Sequence, residues 1–171
     1  MTLLTVRRAT LGDAADVAGV HVRSWQVAYR GLLPDQRLDG MRAEDRVARY
    51  DFGATDPPRP STLVAVEEGV IRGFVTTGPC RDTDGTGVGE ILALYVDPPA
   101  WGRGVGRQLI TEARATLSQA GFAEAVLWVL AGNERAQRFY RADGWLPERE
   151  GRTETIWDVP VDEVRFRRRL S

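Results

Sequence analysis

Two stretches of the chain repeat apolar residues at helical spacing. The first covers 10–31, and we expect Gly31 to end it; its apolar face is formed by Ala14, Val17, Ala18, His21, Val22 and Trp25. The second covers 103–121, with apolar residues on one side, charged residues on the other and Gly121 as a stop. Both patterns predict amphipathic helices with one buried face.

Runs typical of β-strands occupy the middle and the end of the chain. Two of them flank the turn "EEG", and a long apolar run precedes the second amphipathic helix. The predicted order is a strand over 3–8, a helix over 10–31, a broken helical region over 32–53, a loop over 55–61, strands over 62–67, 70–77 and 87–98, a helix over 103–121, a strand over 124–130, a short helix over 133–144, and strands over 145–151 and 161–170. Adjacent hairpin-like strands favour a mixed, largely antiparallel sheet. The sequence therefore predicts an α/β fold in a single domain over 1–171.

Composition narrows the class of partner. Hydrophobic residues make up 43% of the chain and charged residues 27%, and the formal net charge is −1, which argues against a basic nucleic-acid-binding surface. No apolar run approaches the roughly 18 residues that would span a membrane, and the single cysteine, Cys80, fits a reducing compartment. We therefore expect a cytoplasmic protein with no nucleic-acid or membrane partner. The cluster Arg165, Arg167, Arg168 and Arg169 is interpreted as a solvated strand end, with contact to an anion as the alternative.

Three glycines alternate in "WGRGVG", between a β-type run and the second amphipathic helix. The spacing fits neither the P-loop nor the dinucleotide pattern Gly-x-Gly-x-x-Gly. A helix N-terminus nevertheless offers unsatisfied N–H groups and a partial positive charge, and glycine lets the backbone approach a phosphate closely. The turn alone leaves two interpretations open: a phosphate site to which Arg103 and Arg107 add charge, or a strand-to-helix turn without a ligand.

The residues on both sides of this turn resemble the two central motifs of the GCN5-related N-acetyltransferases (GNAT). The family's loop pattern, Gln/Arg-x-x-Gly-x-Gly/Ala, aligns with 101–106: Gly104 and Gly106 match, whereas Trp101 stands in the first, polar position. The second motif, Asn-x-x-Ala-x-x-Phe-Tyr-x-x-x-Gly-Phe, is matched by Asn133, Ala136, Phe139, Tyr140, Gly144 and, for the last Phe, Trp145. Both motifs occur in the family's order and at its separation.

The resemblance implies a GNAT-like domain, with a twisted sheet of about seven strands, a central splay and about four flanking helices. It also implies acetyl-CoA as the acetyl donor. The diphosphate would sit on backbone N–H groups of 102–107, and the pantetheine arm would bond the backbone at Leu94 and Val96 as an added strand does. The donor-site residues expected in this way are Leu94, Tyr95, Val96, Trp101, Gly102, Arg103, Gly104, Val105, Gly106, Arg107, Asn133, Ala136 and Phe139.

Acetyl transfer to an amine requires a neutral amine, a stabilised oxyanion and a proton for the departing thiolate. The resemblance assigns proton transfer to Tyr140, two helical turns after Asn133, with packing against the sheet as the alternative. Glu90, expected to share a strand face with Leu92 and Leu94, is the candidate base, with a solvated strand-end charge as the alternative. The donor oxygen would be met by a backbone N–H near Leu94.

Aromatic residues of the first helix are candidate walls for the acceptor. Trp25 and Tyr29 lie four residues apart and share a face, with core packing as the alternative, and His21 is expected to be structural. No His, Cys, Asp or Glu set has metal-ligand spacing, so we expect no metal. The resemblance thus implies an acetyl-CoA-dependent N-acetyltransferase that modifies a primary amine of a small molecule or protein by direct transfer. A non-catalytic acyl-CoA-sensing module is the alternative, and a homodimer is left open.

Overall fold

One twisted sheet carries helices on both of its faces. The computed structural model describes residues 2–52, 60–82 and 84–170, so the predicted loop lies outside the described residues as far as residue 59. The elements are β1 Leu4–Arg8, α1 Ala14–Ala28, α2 Asp35–Asp39, α3 Glu44–Val47, β2 Ser61–Glu67, β3 Val70–Pro79, β4 Gly89–Val96, α4 Val105–Gln119, β5 Glu124–Leu130, α5 Glu134–Ala142, β6 Leu146–Ile156 and β7 Val159–Arg169.

The strand order confirms the predicted fold class. In the described residues, seven strands lie in the order β1-β2-β3-β4-β5-β7-β6, and only the β4–β5 pair is parallel. The helical region predicted as broken forms two short helices, α2 and α3, so these residues place five α-helices beside the sheet rather than four. The last two strands are longer than predicted and form one hairpin.

The two faces of the sheet bury separate apolar clusters. Helix α4 covers one face, where Leu109 and Ile110 pack with Trp145 and Phe166. Helix α1 covers the other face, where Val17 and Val20 pack with residues of β2 and β3, among them Val64, Ile71 and Phe74. On α1 the predicted positions are buried except Trp25, which is partly buried, whereas Val20 is fully buried and was not predicted.

The sheet opens at its centre. Strands β4 and β5 pair over three residues only, Gly89–Ile91 with Ala125–Leu127, and beyond Ile91 the two strands separate. The remainder of β4, up to Val96, therefore has a strand partner on one side only, β3. This is the central splay that the family resemblance implies.

A bulge in β4 changes which side chains face each other. Thr76 pairs with Ala93 and Thr77 with Ile91, so Leu92 is an extra residue in the ladder. Ile91 and Leu94 consequently both pack on the α4 side. Because successive strand residues alternate, Glu90 points to the face opposite Ile91 and Leu94. The expectation that Glu90 shares a face with Leu94 is wrong, since it assumed an uninterrupted strand.

Candidate functional site

A cavity of about 810 Å³ fills the splay between β4 and β5. Its walls come from these two strands, from the glycine turn before α4, and from α5, α1 and the β6–β7 hairpin. The cavity contains every predicted site residue except Arg103. Among its other lining residues are several with polar or aromatic side chains that were not predicted as site residues: Arg81, Trp128, Arg135, Arg152 and Glu163.

The free edge of β4 forms one long wall of the cavity. The backbone N–H of Asp97 donates to the carbonyl of Arg72 in β3, at 2.8 Å. Hydrogen bonds alternate along an antiparallel pair, so the backbone groups of Leu94 and Val96 point away from β3. One of them is already bonded, because Trp101 Nε1 donates to the carbonyl of Val96 at 2.7 Å. Both backbone groups of Leu94 and the N–H of Val96 face the opened splay.

The glycine turn has the backbone conformation that only glycine adopts at low cost. Gly102 and Gly104 have φ angles of 75° and 87°, in the left-handed region. A Cβ added at either residue would meet no atom within 4 Å, so both face open space in the cavity wall. Gly106, inside the first turn of α4, is different: a Cβ there would lie 3.2 Å from the ring of Phe139. The first-turn N–H groups of α4 thus end at an unobstructed concave surface.

Of the two arginines that the sequence suggested as charges near this turn, Arg107 lines the cavity and Arg103 does not. Nη2 of Arg103 donates to both carboxylate oxygens of Glu67, at 2.8 and 2.9 Å, so the expectation that its side chain adds charge to the site is wrong. Arg107 and Arg135 line the cavity, and neither pairs with a carboxylate among the described residues. The Arg135 guanidinium carbon lies 3.7 Å from the ring centroid of Trp101. The signal for this contact was weak, since the two residues are distant in sequence.

Asn133 and Tyr140 are placed by α5. Asn133 caps the helix, and its Oδ1 accepts from the backbone N–H of Ala136 at 3.2 Å, which confirms the predicted N-cap. Tyr140 is buried between the rings of Phe139 and Phe166, and it also lines the cavity. Its hydroxyl makes no hydrogen bond to another described residue. Burial, and secondarily Tyr95, raises the pKa of Tyr140, so the phenol is protonated at neutral pH.

Glu90 is a buried ion-pair partner and not a solvated strand-end charge. Its side chain is 1% exposed. Its Oε2 accepts from Arg81 Nη2 at 2.8 Å, and its Oε1 accepts from the backbone N–H of Arg81 at 3.0 Å. Glu90 is also one of the residues that line the cavity, with Arg81 and Trp128. Its carboxylate therefore has a fixed position close to the cavity.

Aromatic side chains surround the end of the cavity nearest α1. The centroid of the Trp25 ring lies 4.9 Å from that of Tyr29 and 5.8 Å from that of Trp157 in the β6–β7 hairpin. Burial raises the pKa of Tyr29, and Tyr95, whose own pKa is raised by burial, adds to that effect. Both hydroxyls are protonated at neutral pH, so this end presents neutral, flat surfaces.

Two further expectations concern residues outside the cavity. His21 is 5% exposed and stacks on Trp25 at 5.0 Å, which agrees with a structural role. Arg165 is not part of a solvated strand end, because it pairs with Asp82 at 3.0 Å and with Glu148 at 2.7 Å. The sequence alone could not show those partners, since they lie on other elements.

The described residues contain neither a candidate metal site nor a candidate membrane-spanning helix. Within residues 2–52, 60–82 and 84–170, no three His, Cys, Asp or Glu side chains are grouped so that they could hold a metal ion. Among the helices of those residues, none has the length and apolar character needed to cross a bilayer.

Comparisons with known proteins agree with this architecture. The model of the Acetyltransferase (GNAT) family matches residues 23–145. The N-acetyltransferase YuaI of Bacillus subtilis, itself uncharacterized, is 31% identical over 148 residues, which cover 86% of this chain and 82% of YuaI. YncA from Salmonella typhimurium, solved with its cofactor acetyl-CoA, has a TM-score of 0.73 at 21% identity, covering 98% of this chain and 94% of YncA. PaiA N-acetyltransferase from Thermoplasma acidophilum, in complex with coenzyme A, has a TM-score of 0.70 at 20% identity, covering 94% of this chain and 98% of PaiA. The two solved structures are similar to this chain in fold.

Proposed function

Because the chain belongs to the GNAT family of acetyltransferases, we propose that it transfers the acetyl group of acetyl-CoA directly to a primary amine, with both substrates bound together. One observation carries the proposal. A single cavity joins the glycine turn, the free edge of β4, the Tyr140 hydroxyl and the aromatic end at α1. Donor and acceptor can therefore occupy opposite ends of one space and meet at its centre, with residues 1–171 acting as one domain.

The residues of the splay fit the donor. An extended amide chain can pair with the exposed backbone of Leu94 and the N–H of Val96, as a strand added to a sheet edge does. Gly102 and Gly104 border open space, and Arg107 and Arg135, which have no carboxylate partner among the described residues, line the same cavity, which suits a diphosphate. Asn133 also lines this part of the cavity, and its amide N–H groups make no hydrogen bond to another described residue.

Three groups at the centre of the cavity have roles in transfer. The amine nitrogen attacks the carbonyl carbon of the acetyl thioester, so that a C–N bond forms and the C–S bond breaks. Tyr140 keeps its proton at neutral pH and would donate it to the departing sulfur. The N–H of Leu94 would donate to the acetyl oxygen, where negative charge develops. Glu90 would orient the acceptor or remove its proton through water, from the position that Arg81 fixes.

The acceptor would bind between Trp25, Tyr29 and the β6–β7 hairpin. This end offers aromatic faces and carboxylates that already have arginine partners, Glu90 with Arg81 and Glu163 with Arg152. An amine held against an aromatic wall would therefore enter without meeting an unpaired carboxylate among the described residues. A small amine and a protein terminus both satisfy this description.

Thermal unfolding with acetyl-CoA, followed by an amine screen, tests the proposal. Saturation at a hundred times the Kd adds about 2.7 kcal/mol to the free energy of unfolding, which is a measurable rise in Tm. Free thiol release is then followed with small amines and peptide N-termini, and acetylated products are identified by mass spectrometry. If millimolar acetyl-CoA leaves Tm unchanged, the proposal fails. Binding without turnover across a broad panel would instead favour an acyl-CoA-sensing module.

A further inference from the structure

The indole ring of Trp101 makes a hydrogen bond at its edge and a cation–π contact on its face. Its indole N–H donates to the Val96 carbonyl at 2.7 Å, which ties the ring to the end of β4. The guanidinium of Arg135, from the first turn of α5, covers the ring face at 3.7 Å. At this distance the cation–π attraction also fixes the plane of the guanidinium. The side chain that precedes the glycine turn therefore connects β4 to α5 through Arg135.

Arg135 keeps an uncompensated charge at this place. Two other arginines of the cavity, Arg81 and Arg152, each pair with a glutamate, at 2.8 and 3.0 Å. Among the described residues, no carboxylate pairs with Arg135. Arg135 is exposed overall, but partial desolvation, with a smaller effect of Arg138, lowers the pKa of its guanidinium from the ordinary value of 12.5. An anion bound next to the guanidinium would offset this effect.

We propose that Arg135, held in place by Trp101, binds the diphosphate of the CoA donor. The family's loop pattern has Gln or Arg at the position of Trp101, and an indole offers no such charge. Trp101 directly precedes Gly102, so a guanidinium on its face lies beside the N–H groups expected to hold the diphosphate. Stacking uses the face of the guanidinium and leaves its N–H edge free for a bidentate bond to phosphate oxygens. Trp101 is thus a positioning residue, and Arg135 supplies the charge. The inference rests on the proposed donor.

Binding of CoA, dephospho-CoA and pantetheine to matched arginine variants tests the assignment. Arg138 is the control, since it lies on the same helix, is exposed, and among the described residues pairs only with Glu134, at 4.0 Å. By isothermal titration calorimetry, Arg135→Gln should raise the Kd for CoA by about tenfold, the range of one charged hydrogen bond. The increase should be equal for dephospho-CoA, which keeps the diphosphate, and absent for pantetheine. Arg138→Gln should leave all three Kd values unchanged.

Variants of Trp101 test whether the ring positions the arginine. Trp101→Leu should weaken CoA binding about as much as Arg135→Gln, and the double variant should be no weaker than either single variant, because the two residues act together. Trp101→Phe keeps the ring face and should retain most of the affinity.

Four results would overturn the inference: an unchanged Kd in Arg135→Gln, an equal loss with pantetheine, an effect that vanishes with dephospho-CoA, or full additivity in the double variant. A wild-type chain that binds none of the three ligands removes the proposed function as well. Wild-type binding with an unaffected Arg135→Gln variant removes this inference alone.

Discussion

At the scale of single residues, Tyr140 and Tyr29 line the same cavity, and we expect them to affect different steps of the proposed reaction. Tyr140→Phe removes the proton for the departing sulfur and keeps the packing of the ring. We expect kcat to fall by about a hundredfold, within the range of a lost general acid, with an unchanged Kd for acetyl-CoA. Tyr29→Phe is the matched control, and we expect it to alter the KM for the amine while kcat stays within about threefold. Thiol-release kinetics measure both. An unchanged kcat in Tyr140→Phe would leave that residue with packing only.

His21 gives the fold a specific sensitivity to acid. Burial, with Arg46 and Arg49 contributing, lowers its pKa from 6.5 to about 3, and the aromatic rings around it are those of Trp25, Phe74 and Tyr95. Below pH 6.5 the His21 imidazole is protonated in the unfolded chain but stays neutral in the folded chain. The free energy of unfolding therefore falls as pH drops from 6.5 towards 3. From about pH 7.5 to pH 5 this group alone should remove about 2 kcal/mol.

Urea unfolding of wild type and His21→Phe across that pH range measures the effect. The variant keeps an aromatic ring against Trp25 and should show a flatter pH dependence between pH 5 and 7. The carboxylate of Asp13 does not interfere, because Arg7 lowers its pKa to about 2 against the opposing effect of burial, and its contribution is lost only below about pH 5. Equal slopes for both chains would mean that His21 is charged in the fold.

Motif spacing predicted some residues of the site well and missed others for a physical reason. Asn133 and Tyr140 lie on one helix, so their spacing determines that both reach the cavity. Arg135 lies on the same helix, but its importance depends on Trp101, which reaches it only through the tertiary fold. Arg103 was predicted to act at the turn from its place in the sequence, but its guanidinium pairs with Glu67 of β2 instead.

At the scale of elements, substitutions at the two ends of α4 can distinguish an effect on donor binding from an effect of backbone strain. Gly104 and Gly121 flank this helix with φ angles of 87° and 98°, and a Cβ at either would meet no atom within 4 Å. An alanine at each should therefore cost a similar amount, about 1 kcal/mol, from left-handed strain. Only Gly104 lines the cavity, so only Gly104→Ala should weaken acetyl-CoA binding, by about tenfold or more, in a titration. Equal binding by both variants would place the diphosphate elsewhere.

Periodicity predicted the helices and most strands, and it failed where the ladder is irregular or exposed. The bulge at Leu92 lies in an almost continuous apolar run. Such a run has no alternation of polar and apolar residues, so a shift in that alternation could not reveal the bulge. The hairpin of β6 and β7 turns at Trp157 and Asp158, with φ angles of 52° and 64°. Two-residue turns of this kind usually carry Asn-Gly, so the pair gave no turn signal. The exposed end of β6 likewise lacks an apolar period.

At the scale of the whole molecule, the opening that forms the cavity also weakens the sheet. The two halves of the sheet share only three residue pairs between β4 and β5. Ionic contacts add to this connection on the side of β5 and β7. Arg165 of β7 pairs with Asp82 and Asp84, in the segment before β4, and with Glu148 of β6. A cluster that appears in the sequence as one strand's surface charge thus connects both halves.

Arg165→Gln should lower the free energy of unfolding by about 2 kcal/mol at neutral pH. This value lies between those of exposed and fully buried ion pairs, because the Arg165 side chain is 12% exposed and its carboxylate partners are more so. Arg169→Gln is the control on the same strand, since Arg169 is exposed and has no ion pair among the described residues. Urea unfolding near pH 7.5 should separate the two variants clearly.

The same pair of variants distinguishes lost ion pairs from lost packing by its pH dependence. Burial would raise the pKa of Glu148, but hydrogen bonds from Arg167 and Arg165 hold it below its ordinary value. Stability from this carboxylate is therefore present above its unfolded pKa and is lost as pH falls through the lower folded pKa. The deficit of Arg165→Gln should shrink towards about pH 4, where the carboxylate no longer needs its partner. A deficit that is constant with pH would assign the effect of Arg165 to its packing on Trp128, whose ring lies 5.6 Å away.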